Sequence, residues 1–153
     1  MSTNSKKTIE ALYELIQVNQ EGERGYREAS ENIKNEELTT ILYRLSQQRA
    51  LFKGELEETL RKDFRDEAIV SDSIASKVHR TWMDFKSALN GDDDKAILNE
   101  CERGEEHAIK KYTETLDGRL PDYIEKNVNQ QLEMIRGSLS QIREFKYEEN
   151  HTQ

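Results

Sequence analysis

Apolar residues return every three or four positions over four long stretches of this chain, a period that fits α-helix. The first stretch runs from about Thr8 to Ile33. Its stripe reads Ile9, Leu12, Ile16, Tyr26 and Ile33, with Asn19 and Glu23 at the skipped turns. The second runs to about Lys62 through Leu38, Ile41, Leu45, Gln48, Phe52 and Leu56, with Glu55 beside the stripe. Asn35 followed by Glu36 and Glu37 reads as its N-cap and acidic first turn. The third opens on the cap candidates Asp92, Asp93 and Asp94 and ends near Leu116, before Gly118 as C-cap. Its stripe is Leu98, Glu102, Glu105, Ile109, Tyr112 and Leu116. The fourth starts at Pro121, whose missing N–H is harmless in a first turn, and carries Ile124, Val128, Gln131, Ile135, Leu139 and Ile142. The polar tail from about Lys146, KYEENHTQ, is expected to fray.

Four amphipathic helices can bury their stripes in one shared core, so the pattern predicts an all-α four-helix bundle. A chain of 153 residues with one proline is read as a single domain, 1–153, with a core of about 8–146 and frayed ends. Between the second and third helices, a connection over Asp63–Val70 precedes a shorter helix capped by Ser71 or Ser73. This extra helix carries Ile74, Val78, Trp82, Phe85 and Leu89 on one face and ends at Asn90-Gly91. The whole segment is long enough to cross from one end of a bundle to the other, with Trp82 as anchor.

The net charge of −8 disfavours a phosphate backbone, and no basic block stands out, so nucleic acid is not an expected partner. No apolar run approaches the roughly 20 residues of a membrane span. Cys101 is the only cysteine and has no internal disulfide partner. With an N-terminus that lacks an apolar leader core, this points to the cytoplasm.

The informative feature is polar residues where the period demands apolar ones. Asn19, Glu23, Gln48, Glu102, Glu105 and Gln131 all lie near the middles of their helices and can meet in one layer. A buried carboxylate requires pairing, hydrogen bonds, protonation or a metal. One reading is a carboxylate metal site in which Glu23, Glu102 and Glu105 are ligands and Glu55 and Gln131 assist. Two-metal bundles use two such Glu residues plus a Glu-x-x-His from each of the other two helices. That second pair is missing: Gln48 and Leu51 stand in helix two, Gln131 and Met134 in helix four. His79, His107 and His151 are elsewhere. The other reading is a metal-free network of amides, carboxylates and the Tyr26 and Tyr112 hydroxyls. Gly22, Gly25 and Gly104 flank the layer, each costing about 1 kcal/mol against alanine, and point to close packing or room for a large neighbour.

The strings QEGERGYREA (Gln20–Ala29), RLSQQRALFKGEL (Arg44–Leu56), HRTWMDFKSAL (His79–Leu89) and CERGEEHAIKKY (Cys101–Tyr112) are similar to a bacterial family of four-helix-bundle proteins. It is a domain of unknown function grouped with the ferritin-like superfamily. The resemblance covers about Ile9 to Ile142 and implies a ferritin-like bundle, but no known activity. Many members carry a histidine in helix four, at the place of Leu139 here, and that departure weakens the metal reading.

A complete bundle pattern with an incomplete catalytic set leads to the expectation of a non-enzymatic protein without cofactor, acting by binding or assembly, in a stress or maintenance setting. The alternatives are a degenerate iron or manganese protein and a homodimeric scaffold for an unknown protein partner, using Trp82, Phe85 or exposed tyrosines.

Overall fold

A computed structural model describes residues 3–65, 88–89, 91 and 93–151. Among them are four helices and no strand: α1 (Thr3–Asn32), α2 (Glu36–Phe64), α3 (Asp94–Asp117) and α4 (Asp122–His151). The expected short helix with Ile74, Val78, Trp82 and Phe85, and His79 with it, lies outside the described residues. Leu89, at its end, packs against the core.

The helix ends follow local chemistry. Asn35 adopts an extended backbone and its side chain accepts the N–H groups of Glu37 and Leu38 at 3.0 and 3.3 Å, capping α2. Asp93 does the same for α3 through Lys95 N. Arg65 closes α2 in the left-handed region, φ 54°, a C-cap conformation usually given to glycine. Gly118, the expected glycine cap, instead ends α3 with an ordinary extended backbone and donates its N–H to Thr115 O.

Both outer ends are longer than the periodicity indicates: α1 begins at Thr3, and α4 continues past Lys146 to His151. The polar end of α4 is held by tertiary contacts that periodicity does not register. Phe145 packs on the core, Lys146 Nζ lies 2.5 Å from Glu102, and Glu149 accepts from Asn35 at 3.4 Å.

Helix α1 packs along α2, α3 along α4, and α1 against α3; the α2–α4 seam is the thinnest. Helices α2 and α3 therefore face each other across one diagonal. The Asp94 carboxylate accepts the backbone N–H groups of Lys34 (2.8 Å) and Asn35 (3.0 Å), fastening the start of α3 to the α1–α2 turn. At the other end Tyr123, in the first turn of α4, hydrogen-bonds Asp63 near the end of α2. Helices α2 and α3 thus run parallel, and the end of one lies a bundle length from the start of the other.

The core is divided in two. One apolar cluster holds Leu12, Leu15, Ile16, Phe52, Leu56, Ile124, Val128 and Ile135 among others. The second holds Tyr26, Ile33, Leu38, Leu42, Leu45, Leu98, Cys101 and Ile142 among others. Between them the buried side chains are polar: Asn19, Arg49, Glu105 and Gln131.

The α3–α4 seam is sealed on its outer edge by Glu102, which binds Lys146 and, at 2.8 Å, Arg143; Arg143 also reaches Glu106 at 3.1 Å. The Lys146 hydrogen bond, followed by that from Arg143, holds the Glu102 carboxyl below its ordinary pKa. A carboxyl with a depressed folded pKa stabilises the protein above its unfolded value and loses that contribution as pH falls through the folded value. Denaturant titrations between about pH 7 and pH 2, spanning the unfolded glutamate value near 4.3, should show Glu102→Gln less stable than wild type at neutral pH. The two should converge at the acid end.

Candidate functional site

The polar layer is built around Arg49, a fully buried guanidinium on α2. It forms an ion pair with Glu105 of α3, across the diagonal, with each side chain about 1% exposed. Burial pushes the Arg49 pKa down. An arginine starts so high that it stays protonated. A second bond runs from Arg49 Nη1 to Asn19 Oδ1 on α1, at 3.2 Å.

From Asn19 the hydrogen bonds continue in one direction. Asn19 Nδ2 donates to the Tyr112 hydroxyl of α3 (2.8 Å) and to its own helix at Leu15 O (2.7 Å). Tyr112 donates to Gln131 Oε1 of α4 (2.6 Å). Gln131 Nε2 donates to Glu55 Oε1 (2.9 Å) and to Phe52 O (3.4 Å), both on α2. The path leaves α2 at Arg49, visits α1, α3 and α4, and returns to α2 at Glu55. A cation stands at its donor end and a carboxylate at its acceptor end, so every link is polarised the same way. Burial raises the Tyr112 pKa to about 12, so the phenol keeps the proton it donates. Tyr26, beside Arg49, is likewise pushed well above the ordinary phenol value, first by burial.

Gly22 makes the room. A Cβ built there would lie 3.2 Å from both Cγ and Nη1 of Arg49, tighter than most packed contacts. Glycine suits this position for its volume, since its backbone is helical and unstrained.

Several sequence-predicted residues sit elsewhere. Glu105, Asn19 and Gln131 are in the layer. Glu55 meets Gln131 from the exposed side of α2. Glu23 is half-buried and pairs with Arg27 of its own helix at 3.6 Å. Glu102 lies in the α3–α4 seam with two cations, and Gln48 lies in the α2–α4 seam, accepting from Ser138 at 3.2 Å. The carboxylates Glu23, Glu102 and Glu105 are thus each matched to a separate cation. Among the described residues no three His, Cys, Asp or Glu converge as a metal-holding group. Cys101 is buried in the core, and burial raises its thiol pKa far above the ordinary range, so it is a packing residue.

Sequence reasoning missed Arg49, although it read Gly22 as close packing or room for a large neighbour. From Leu45 the α2 stripe can step to Gln48 or to Arg49, and both steps keep helical periodicity. The buried set follows Leu38, Leu42, Leu45, Arg49, Phe52, Leu56 and Leu60, which selects the longer step. A one-residue shift in the opposite direction replaces Glu23 by Gly22 on α1 and Glu102 by Cys101 on α3. The available signal was Gly22 itself, a glycine that announced a large neighbour.

Two mutational outcomes follow. Removing one partner of a buried ion pair leaves a buried charge and costs about 3–5 kcal/mol. Arg49→Met and Glu105→Leu should each approach that loss in chemical denaturation. The double variant should recover most of it, since Arg49 Nε and Glu105 Oε2 have no hydrogen-bond partner among the described residues. Gly22→Ala should destabilise by displacing Arg49. By contrast Gly54→Ala, on an exposed face of α2 with nothing among the described residues within 4 Å, should gain up to about 1 kcal/mol of helix propensity in the same assay.

No curated protein matches the chain. One family, described as a domain of unknown function (DUF2383), matches residues 7–118, which takes in most of α1 and all of α2 and α3, including Gly22, Arg49 and Glu105. On that match the chain belongs to the DUF2383 family.

Proposed function

We propose that this protein is a non-enzymatic helical bundle that acts by binding or assembly, and that its bundle is ferritin-like in topology with an internal ion pair in place of a metal centre. The observation that carries this reading is Arg49. In a carboxylate-bridged bundle the central layer gathers acidic ligands around cations. Here Glu105, the one fully buried carboxylate among the described residues, is already neutralised by the chain's own guanidinium. The remaining donors in the layer are Asn19, Tyr112 and Gln131, neutral groups that suit hydrogen bonding better than iron or manganese. The order of the helices, with α2 and α3 parallel across the diagonal, supports the ferritin-like part of the reading. The buried free thiol of Cys101 fits a cytoplasmic protein. No helix among the described residues is long and apolar enough to cross a membrane.

The direct test is metal content by mass spectrometry on untagged protein after incubation with ferrous iron or with manganese, alongside peroxide and ferrous-oxidation assays. The expected result is substoichiometric metal and turnover no greater than that of Glu105→Ala. Stoichiometric metal that disappears in Glu105→Ala, or turnover that depends on Glu105, would overturn the reading.

A further inference from the structure

We infer that the outer face of α4 is a self-complementary surface that pairs with α4 of a second copy of this chain in antiparallel fashion, about a two-fold axis passing between Asn129 and Gln130. The inference deepens the binding-or-assembly reading by naming the partner.

The face is open. Lys126, Asn129, Gln130 and Glu133 are all exposed, and with Met134, itself 50% exposed, they line a shallow groove of about 590 Å³. A two-fold contact is isologous: if one position meets another, the reverse meeting also occurs. Around the midpoint between Asn129 and Gln130, Lys126 and Glu133 stand at equal distances on opposite sides. An antiparallel copy therefore places Lys126 opposite Glu133 twice and Asn129 opposite Gln130 twice, with no like charges facing. The same symmetry places Arg136 opposite Tyr123, a guanidinium against an aromatic ring.

Two features of α4 gain a reason from this arrangement. Lys126 has no ion-pair partner among the described residues, and Glu133 has only Arg136, an exposed neighbour at 3.3 Å whose pairing is worth little. Gly137, an exposed glycine in the interior of the helix, has nothing within 4 Å of an added Cβ among the described residues, so no contact among them calls for it. In the pair it stands opposite Asp122 and lets the second helix approach closely.

The test is molar mass by light scattering and sedimentation over a wide concentration range, with charge reversals at exposed positions that leave the core untouched. Wild type should associate to a dimer. Lys126→Glu and Glu133→Lys should each weaken it by about tenfold or more in dissociation constant, because two attractive pairs become repulsive. The double variant Lys126→Glu/Glu133→Lys should restore association, since every pair is again opposite in sign. Circular dichroism should be unchanged in all three. A monomer at every concentration overturns the inference and leaves the face to a different partner or to none. A dimer indifferent to the single reversals, or one that the double variant fails to restore, overturns it equally. None of these outcomes bears on metal content, so this proposal and the proposed function fail separately.

Discussion

The register of the bundle turns on the ion pair between Arg49 and Glu105. Bringing a guanidinium and a carboxylate out of water costs several kcal/mol per ion, repaid only if the two meet in good geometry. In this chain they meet across the diagonal, between parallel helices that belong to different hairpins. The hairpins must dock at a single height for the charges to cancel. Apolar stripes alone are more permissive, because sliding one helix past another by a heptad still sets leucine against leucine. The pair therefore converts a generally sticky assembly into one with a defined register.

The hydrogen-bond circuit extends that constraint to all four helices. A cation at one end and a carboxylate at the other determine which way Asn19, Tyr112 and Gln131 point, so each amide orientation is fixed by electrostatics. The circuit also divides the core into two apolar clusters. One lies toward the α1 N-terminal end with Leu12 and Val128, the other toward the α1–α2 turn with Leu42 and Leu98. The second cluster is closed by Asp94, which ties the first turn of α3 to the backbone of Lys34 and Asn35. Register and closure are thus set by a few polar contacts, while the surrounding hydrophobic packing supplies most of the favourable energy.

Much of the architecture was legible because helix periodicity and caps are local. Asn35 and Asp93 act as the caps their residue types announce, and the α4 stripe from Ile124 to Ile142 is buried as its spacing requires. The centre was harder to read for a specific reason. A helical stripe advances by three or four residues, and at the polar turn of α2 both steps offered a polar candidate, Gln48 or Arg49. Apolar content could not arbitrate, and the charge least expected in a core is the one that is there. Partners on separate helices are also invisible to a local pattern, so Glu102 read as a layer residue until Lys146 and Arg143 claimed it. The end of α4 escaped for the same reason, since Phe145, Lys146 and Glu149 are held by residues of distant elements.

Gly22 and Arg49 have a consequence that reaches beyond this one chain. Each is intelligible only through the other: the arginine fits because the glycine has no side chain, and the missing side chain would leave an empty space if the arginine were gone. Together they behave as a single quantity of volume distributed over two helices. Among related sequences the two positions should therefore change together or not at all, with a small residue at the place of Arg49 accompanied by a larger one at the place of Gly22. The inheritance of this core is then best followed by residue pairs.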